Sequence, residues 1–542
     1  MQYLQFKNAS LRQALAGAFI IASFIVTGPA HSQSFPPFPE PAVGPFPDTE
    51  NMRLLDQLLP AEIGAVTPRS GVLLNDIWGW TSPMGEEYAL VGTGDGMSIV
   101  RVTDPDNPVF IGIMPTPEPD DFANLWGDIG VYNVGEPRPE DDNGDDGDDA
   151  GRHFPWYTGY AYFTTEATGA GIGILDLSQL DHFGPAPHDG FQIPPTAVFE
   201  EGGYESAHNI YVNQETGFAY VVGAELADDT ATACDDHPFH PSRFNTLILD
   251  LKSDPLNPEI VSCLADFGEH DIYVVNYRGP DRDYRGREIA FVFDGRDKDT
   301  ASRGGQRVDD TPGELGGGTT EIWDVTDKSD IKVISSFTVP GICFSHQGWT
   351  ASNRHEFLLI NDELDELRDA EGEDGFFRNF FCATDNPPNT ISNPGIYVVD
   401  VRDLDNPVFQ ERFSVDSPGD NDHNFIREGN KLYWAVYNTG TRVLQISRQG
   451  RELKLQEIAR LDSEPRDVPA FFGQWGIFPF PHSRTIVASD INNGLMVMRL
   501  DRSRGDEMKS TKAKTAPNAA AIARQRASTR SALTEYYRSR IR

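Results

Sequence analysis

Seven times along the chain a polar residue opens a short run of apolar, mostly aromatic or β-branched residues. The seven are Asp76-Ile77-Trp78, Asp128-Ile129-Gly130-Val131-Tyr132, His208-Asn209-Ile210-Tyr211, His270-Asp271-Ile272-Tyr273, His346-Gln347-Gly348-Trp349, His423-Asn424-Phe425-Ile426 and Gln474-Trp475-Gly476-Ile477. A recurrence of roughly 40 to 80 residues, with every unit reading as β, is the mark of a ring in which each repeat is one sheet that buries its faces against its neighbours. Within the first unit, strands are predicted over 76–80, 87–92, 97–102 and 109–114, divided by Gly-rich and Asp/Asn-Pro turns. The third-strand pattern returns at 172–176, 247–250, 321–324, 396–400 and 443–446, and the Asp-to-Asn-Pro turn at 104–108, 254–258 and 403–407. The last unit supplies only 475–480, 485–489 and 495–500, so its outer strand is expected from 69–74. The fold class is therefore all-β: a seven-bladed β-propeller of four-stranded antiparallel blades, closed by an N-terminal strand.

The rest of the chain frames that ring. Lys7 and Arg12, the apolar stretch 14–26 and the small-x-small site Ala30-His31-Ser32 read as a signal peptide over 1–32. An N-terminal extension is assigned to 33–68, the propeller to 69–500, and a basic, Ala/Ser-rich tail, disordered or loosely helical, to 501–542. Once the leader is removed no run is apolar enough for a transmembrane helix, so the protein is expected to be extracytoplasmic: periplasmic, on the cell surface or secreted. The net charge of −38 argues against nucleic acid as a partner, because phosphate binding needs clustered Lys and Arg. In an oxidising compartment the four cysteines favour two disulfides, Cys234–Cys263 and Cys343–Cys382, each within one repeat. The acidic run 140–149 has the composition of a calcium loop without its ordered ligand spacing; solvation is the default and calcium the alternative.

Chemistry is expected at one mouth of the channel. In an up-and-down blade, the loop entering the first strand and the loop joining the second and third emerge at the same end. The openers occupy the first loop, and Asp95, Glu166, Glu225, Asp294, Asp362, Glu363, Asn438 and Asp490 fall in or beside the second. His208, His270, His346 and His423 come from consecutive repeats, so they can converge on one ion although far apart in sequence. Imidazole suits zinc, iron, copper and manganese sites, with carboxylates on the far ring nitrogen as support. The alternative is bracing, with each His and turn acid hydrogen-bonded inside its own blade. Asp76, Asp128 and Gln474 are read as occupants of the same opener position in the other three repeats, which makes imidazole there a choice rather than a requirement. Ser206, Ser345 and Ser489 lie near this rim, but no Gly-x-Ser-x-Gly elbow, phosphate loop or dinucleotide fingerprint is present.

The stretches SAHNIYV, EHDIYVVNYRGP, SHQGW, NDELDE, DHNFI and SDINNGL, with the Thr-Asp-Pro-Asp-Asn-Pro turn, resemble the bacterial LVIVD-repeat proteins, also called the choice-of-anchor B family. The resemblance spans about residues 70 to 500 and implies a secreted or surface propeller with no established reaction. Three functions follow from the residues. The first, preferred here, is a binding or scaffolding module whose rim meets a protein, glycan or small ligand. The second is a metal-dependent hydrolase or oxidase with the four histidines as ligands and Asp294, Asp362 or Glu363 in support. The third is a structural surface component.

Overall fold

The computed structural model describes residues 41–67, 72–116, 126–135, 156–188, 190–226, 245–265, 269–294, 318–342, 344–363, 393–417, 420–464 and 472–501. The described strands form seven antiparallel sheets, the blades of a β-propeller. Blade 1 consists of Leu74–Thr81, Glu87–Thr93, Gly96–Arg101 and Val109–Pro115, paired in that order, within two residues of the strands expected from sequence. Blades 2 to 7 begin at Ile129–Gly135, Asn209–Asn213, Glu269–Asn276, Ser345–Thr350, Asp422–Glu428 and Gln474–Pro479. These seven first strands pack against one another around the axis.

The burial pattern explains why the sequence reads as it does. Glu87–Thr93 and Phe357–Asp362 are buried at every residue, because an inner strand is covered by neighbouring blades on both faces and needs a continuous apolar run rather than an alternating one. Between blades 1 and 2, Trp80, Tyr88, Leu90 and Ile99 pack with Val131, Ala161, Phe163 and Leu175. Close approach is paid for in side-chain volume: a Cβ at Gly130 would lie 2.9 Å from Val212 of the next blade. The outer strand Val408–Ser414 is exposed or half-buried throughout.

The ring is closed by an N-terminal strand, but not by the one expected. Met52–Leu58 pairs antiparallel with Gly494–Leu500 as the outer strand of blade 7, and Thr49–Glu50 extends the outer edge of blade 6. Leu74, placed in the closing segment from sequence, instead starts blade 1. The register shift between Leu54 and Asp56 breaks the period of the true closing strand, which hid it. Residues 49–58, assigned to an extension, therefore belong to the ring. Leu58 joins the blade 7 core, and Gln57 ties the segment to Asn493 and Ala42 through its amide.

Among the described residues no helix is long and apolar enough to cross a membrane. Residues 1–32, expected to be a leader, the acidic run 140–149 and the basic stretch beyond 501 lie outside the described residues. Of the cysteines only Cys263 is described, so both expected pairings fall outside as well.

Candidate functional site

A bulge positions the site. The ladder between first and second strands shifts register between Leu74 and Ile77, Glu269 and Asp271, Ser345 and Gly348, Asp422 and Phe425, and Gln474 and Gly476. Bulges re-aim side chains at the ends of strands. Here the bulge lies where five of the seven first strands, those of blades 1, 4, 5, 6 and 7, leave the rim, and the openers stand at two levels. At the upper level stand His208, His270, His346 and His423, with Trp475 in the equivalent place of blade 7. The backbone reveals the match, because His270 Nδ1 meets the His346 carbonyl at 3.2 Å and His423 Nδ1 meets the Trp475 carbonyl at 2.5 Å.

One residue further on is a second level that latches blade to blade. Asp76 accepts from Ile129 N at 3.3 Å, Asp128 from Ile210 N at 2.8 Å and Gln347 from Phe425 N at 2.8 Å. Asp76 and Asp128 are thus equivalents of Gln347, not of the histidines, and Gln474 sits one residue before the upper level. The sequence reading that put all seven openers at one position is corrected by this single-residue slip. Gln474 faces away and accepts from Thr441 Oγ1 at 2.6 Å.

The upper level encloses a cavity of about 40 Å³ lined by the four histidines, Glu363, Asp76, Asp128, Trp126, Tyr437 and Trp475, among others. That corresponds to roughly three to four water positions. Successive imidazole rings step around it with centroids 4.4, 4.5 and 4.6 Å apart. Carbonyl oxygens only accept, so His270 and His423 carry their protons on Nδ1 and leave Nε2 as a lone pair. His208 Nδ1 is held 2.7 Å from Glu166 Oε1, and its Nε2 lies 2.9 Å from His270 Nε2. Glu363 lies between the other two rings, 3.7 Å from His346 Nε2 and 3.6 Å from His423 Nε2, and accepts from Tyr437 Oη at 2.7 Å. His270, His346 and Glu363 each offer a ligand atom within 4.8 Å of the other two.

Electrostatics follow from burial and neighbours. Burial and then His208 press the His270 pKa well below its ordinary value; burial, then His270 and His423, do the same to His346. Burial takes His423 down to about 3. On His208 burial also opposes charge, but the hydrogen bond and charge of Glu166, with Asp128 and Asp271 beyond, outweigh it and raise the pKa. Burial pushes Glu363 up to about 7 against the Tyr437 hydrogen bond, and Asp271 up to about 8. Asp76 is raised well above the usual range by burial and by Asp128 beside it.

Three buried neutral imidazoles, one favourably charged imidazole and a carboxylate make a donor set for a divalent first-row metal. The spacing suits that use. Two nitrogens bound at right angles on an octahedral metal at roughly 2.0 to 2.1 Å stand about 2.8 to 3.0 Å apart, the distance between His208 and His270 Nε2, whereas a tetrahedral centre sets them about 3.3 to 3.4 Å apart. A proton on His208 satisfies the same contact in the absence of a metal. Glu166 is the carboxylate support expected behind a ligating imidazole. His208 is further fixed by Gly223, whose φ of +68° and position admit no side chain: a Cβ there would lie 2.9 Å from His208 Cβ.

The acids named from sequence separate cleanly. Glu363, Glu166, Asp76 and Asp128 reach the site or its supports. Glu225 stands beside Ser206 at 3.4 Å, Asp490 caps the turn to Asn492 and Asn493 and accepts from Ser463, and Asp95 accepts from Val66 and Thr67. Asp362 is buried at the strand end opposite Ser345 and does not line the cavity. The Asp294 side chain lies outside the described residues. Tyr437, Trp475 and Trp126 were missed. Glu363 and Tyr437 both follow directly on the second strands of their blades; Glu363 was named from sequence beside Asp362, whereas in the next blade the position named was Asn438, one residue beyond Tyr437.

No family model matches the chain, and no curated protein matches it. Among solved structures it is similar to the β-propeller domain of Cps50 (Swd1) from Myceliophteria thermophila, at 10% identity over 82% of this chain and 98% of that one, with a TM-score of 0.39. It is also similar to a hypothetical selenium-binding protein from Sulfolobus tokodaii, at 9% identity over 71% of this chain and 82% of that one, with a TM-score of 0.38. These likenesses concern fold alone and carry nothing about the site.

Proposed function

We propose that the propeller holds one divalent first-row metal at the histidine mouth of its channel, with His270, His346 and Glu363 as the central ligands and His208 and His423 flanking them. The observation that carries this reading is that the described Nδ1 contacts of His208, His270 and His423 are to fixed acceptors outside the cavity, while the Nε2 atoms turn to a common space shared with Glu363. Two imidazoles and a carboxylate are the donor set of non-haem Fe(II) sites, and the same set holds zinc or manganese. A closed four-ligand site would be structural; a centre facing a cavity leaves a position for substrate or water, which supports a metal-dependent enzyme over a brace. Bracing is in any case supplied one level down by Asp76, Asp128 and Gln347.

Bound metal would act as a Lewis acid or a redox centre. The chain's own contributions are to orient the imidazoles through Glu166 and two backbone carbonyls, and to hold the Glu363 carboxylate through the Tyr437 hydroxyl. The leader read at 1–32 supports an extracytoplasmic location, and the repeated motifs support membership of the LVIVD-repeat family. Metal analysis of protein purified without chelator tests the centre: about one equivalent of iron, zinc, manganese or copper is expected, lost in the His270→Ala, His346→Ala double variant. A folded protein that takes up none of these on reconstitution overturns the proposal and leaves a rigid binding scaffold, the coarser role that a propeller supports.

A further inference from the structure

His208 and His270 are clamped at a distance that restricts which ion they can share. Their Nε2 atoms lie 2.9 Å apart. On each ring the other nitrogen is already committed: His208 Nδ1 stands 2.7 Å from Glu166 Oε1, and His270 Nδ1 stands 3.2 Å from the His346 carbonyl. A neutral imidazole that donates through Nδ1 presents a lone pair at Nε2, so the two rings repel unless a cation bridges them, either a proton or a metal ion. Little room is left for the pair to spread. The backbone at Gly223 passes so close that a Cβ there would lie 2.9 Å from His208 Cβ, and His270 packs against Phe344 edge-on at 4.9 Å and against His346 at 4.5 Å. A tetrahedral ion would have to part the two nitrogens by about 0.4 to 0.5 Å, whereas a six-coordinate ion accepts them at right angles where they stand.

Building on the metal proposed for this site, we infer that the centre is six-coordinate, that iron(II) is its ion, and that dioxygen takes the position left over. The donor count points the same way as the clamp. His208, His270, His346, His423 and Glu363 all line one cavity; four of them would saturate a four-coordinate ion, but a six-coordinate ion keeps a position open even with all five engaged. Glu363 can adjust where the two clamped imidazoles cannot. It stands 3.7 Å from His346 Nε2 and 3.6 Å from His423 Nε2, on a side chain with rotatable bonds that Tyr437 Oη holds at 2.7 Å. Imidazoles and a carboxylate with positions to spare are the donor set of iron(II) centres that activate dioxygen, whereas zinc in proteins is mostly four-coordinate. Size narrows the ligand further. A cavity of about 40 Å³ that also houses an ion leaves space for a few heavy atoms, which suits a diatomic molecule rather than an extended substrate. The stacked indoles of Trp126 and Trp475, with centroids 4.2 Å apart, give that space an uncharged wall.

The test reconstitutes chelator-stripped, full-length protein with cobalt(II) and, separately and without air, with iron(II). Cobalt(II) is expected to show the weak visible bands of a six-coordinate ion. Intense tetrahedral bands would overturn the coordination inferred here while leaving a metal centre in place. The iron(II) form is then titrated with nitric oxide as the probe for dioxygen: saturable binding is expected, with the paramagnetic resonance signal of a half-integer-spin iron nitrosyl, and its absence overturns the dioxygen assignment. His208→Ala removes the clamped pair, so its cobalt bands should intensify several-fold; a folded, cobalt-loaded variant with the wild-type spectrum overturns the role given to the clamp. Glu166→Ala, which frees the ring without removing it, is the second variant if the first loses its fold or its cobalt, and the same change is expected of it. Protein that takes up neither ion overturns the metal centre itself, and its six-coordinate form with it.

Discussion

Glu166→Gln is the perturbation that best separates a ligating His208 from a bracing one. Glu166 Oε1 stands 2.7 Å from His208 Nδ1, and both side chains are largely shielded, at 17% and 14% exposure. That contact fixes the ring and raises the basicity of Nε2, the atom turned towards the cavity. Removing such a support typically weakens metal affinity about 10- to 100-fold, or roughly 1.4 to 2.7 kcal/mol. The loss should also depend on pH. The native His208 pKa is raised, and a metal takes the neutral imidazole, so below that pKa a proton must leave before the metal binds. His208 alone should therefore make wild-type affinity fall towards about tenfold per pH unit on acidification and level off above the raised pKa, with Glu363, pushed up to about 7, adding a second proton in wild type and variant alike. The variant, with a lower His208 pKa, keeps its plateau to lower pH. Its deficit should be full near pH 8 and shrink towards about pH 6. A chelator-competition titration across this range, with the thermal midpoint as a control for folding, reads both effects. A variant within about twofold of wild type at every pH would refute the role given to Glu166.

Gly223→Ala should lower metal uptake with Glu166 intact, because the new methyl meets His208 Cβ and the φ of +68° disfavours it; metal content and the melting curve together check this. Deleting residues 41–58 should leave Gly494–Leu500, buried at all but its last two residues, as an open edge, so the product should aggregate on size-exclusion chromatography; a monomeric, cooperatively melting product would contradict the closure. Asp490 is fully buried and its pKa is pushed up to about 6, so the folded state gains a proton that the unfolded state lacks. Its contribution favours folding as pH falls from about 6 towards about 4 and is lost as pH rises, on the order of 2–3 kcal/mol in all. Asp490→Asn should remove this share, seen as a gap in melting temperature between variant and wild type that changes across that window; a constant gap would count against it.

Much of the ring was legible because its inner strands are covered on both faces, and continuous apolar runs such as Tyr88–Val91 stand out against Gly and Asn-Pro turns. The four histidines were legible because they repeat. What the sequence hid was a matter of single residues. A bulge adds one residue without leaving a mark in composition, and it hid the place of Asp76; Asp128, whose strand pairs in regular register from Ile129 to Val134, was assigned to the histidine level as well, although both belong one step below it. Asp362 was read together with Glu363 as a pair, yet only Glu363 lines the cavity. Trp475 and Tyr437 carry no chemical signature of a site, and only the backbone register gives them their places. The closing strand was misplaced because Met52-Arg53-Leu54-Leu55-Asp56-Gln57-Leu58 lacks the alternation of a half-buried strand.

Met52 and Leu500 are partners in the same sheet although 448 positions separate them. A nascent chain can assemble its early blades while synthesis proceeds, but the last one waits for both ends. Until the final strand leaves the ribosome, residues 52–58 have no ladder to join. Loop closure over so long a separation is slow compared with local pairing. The seam is thus a checkpoint on synthesis: products that stop short of residue 494 stay open, and proteases meet an unfinished ring before any ligand does.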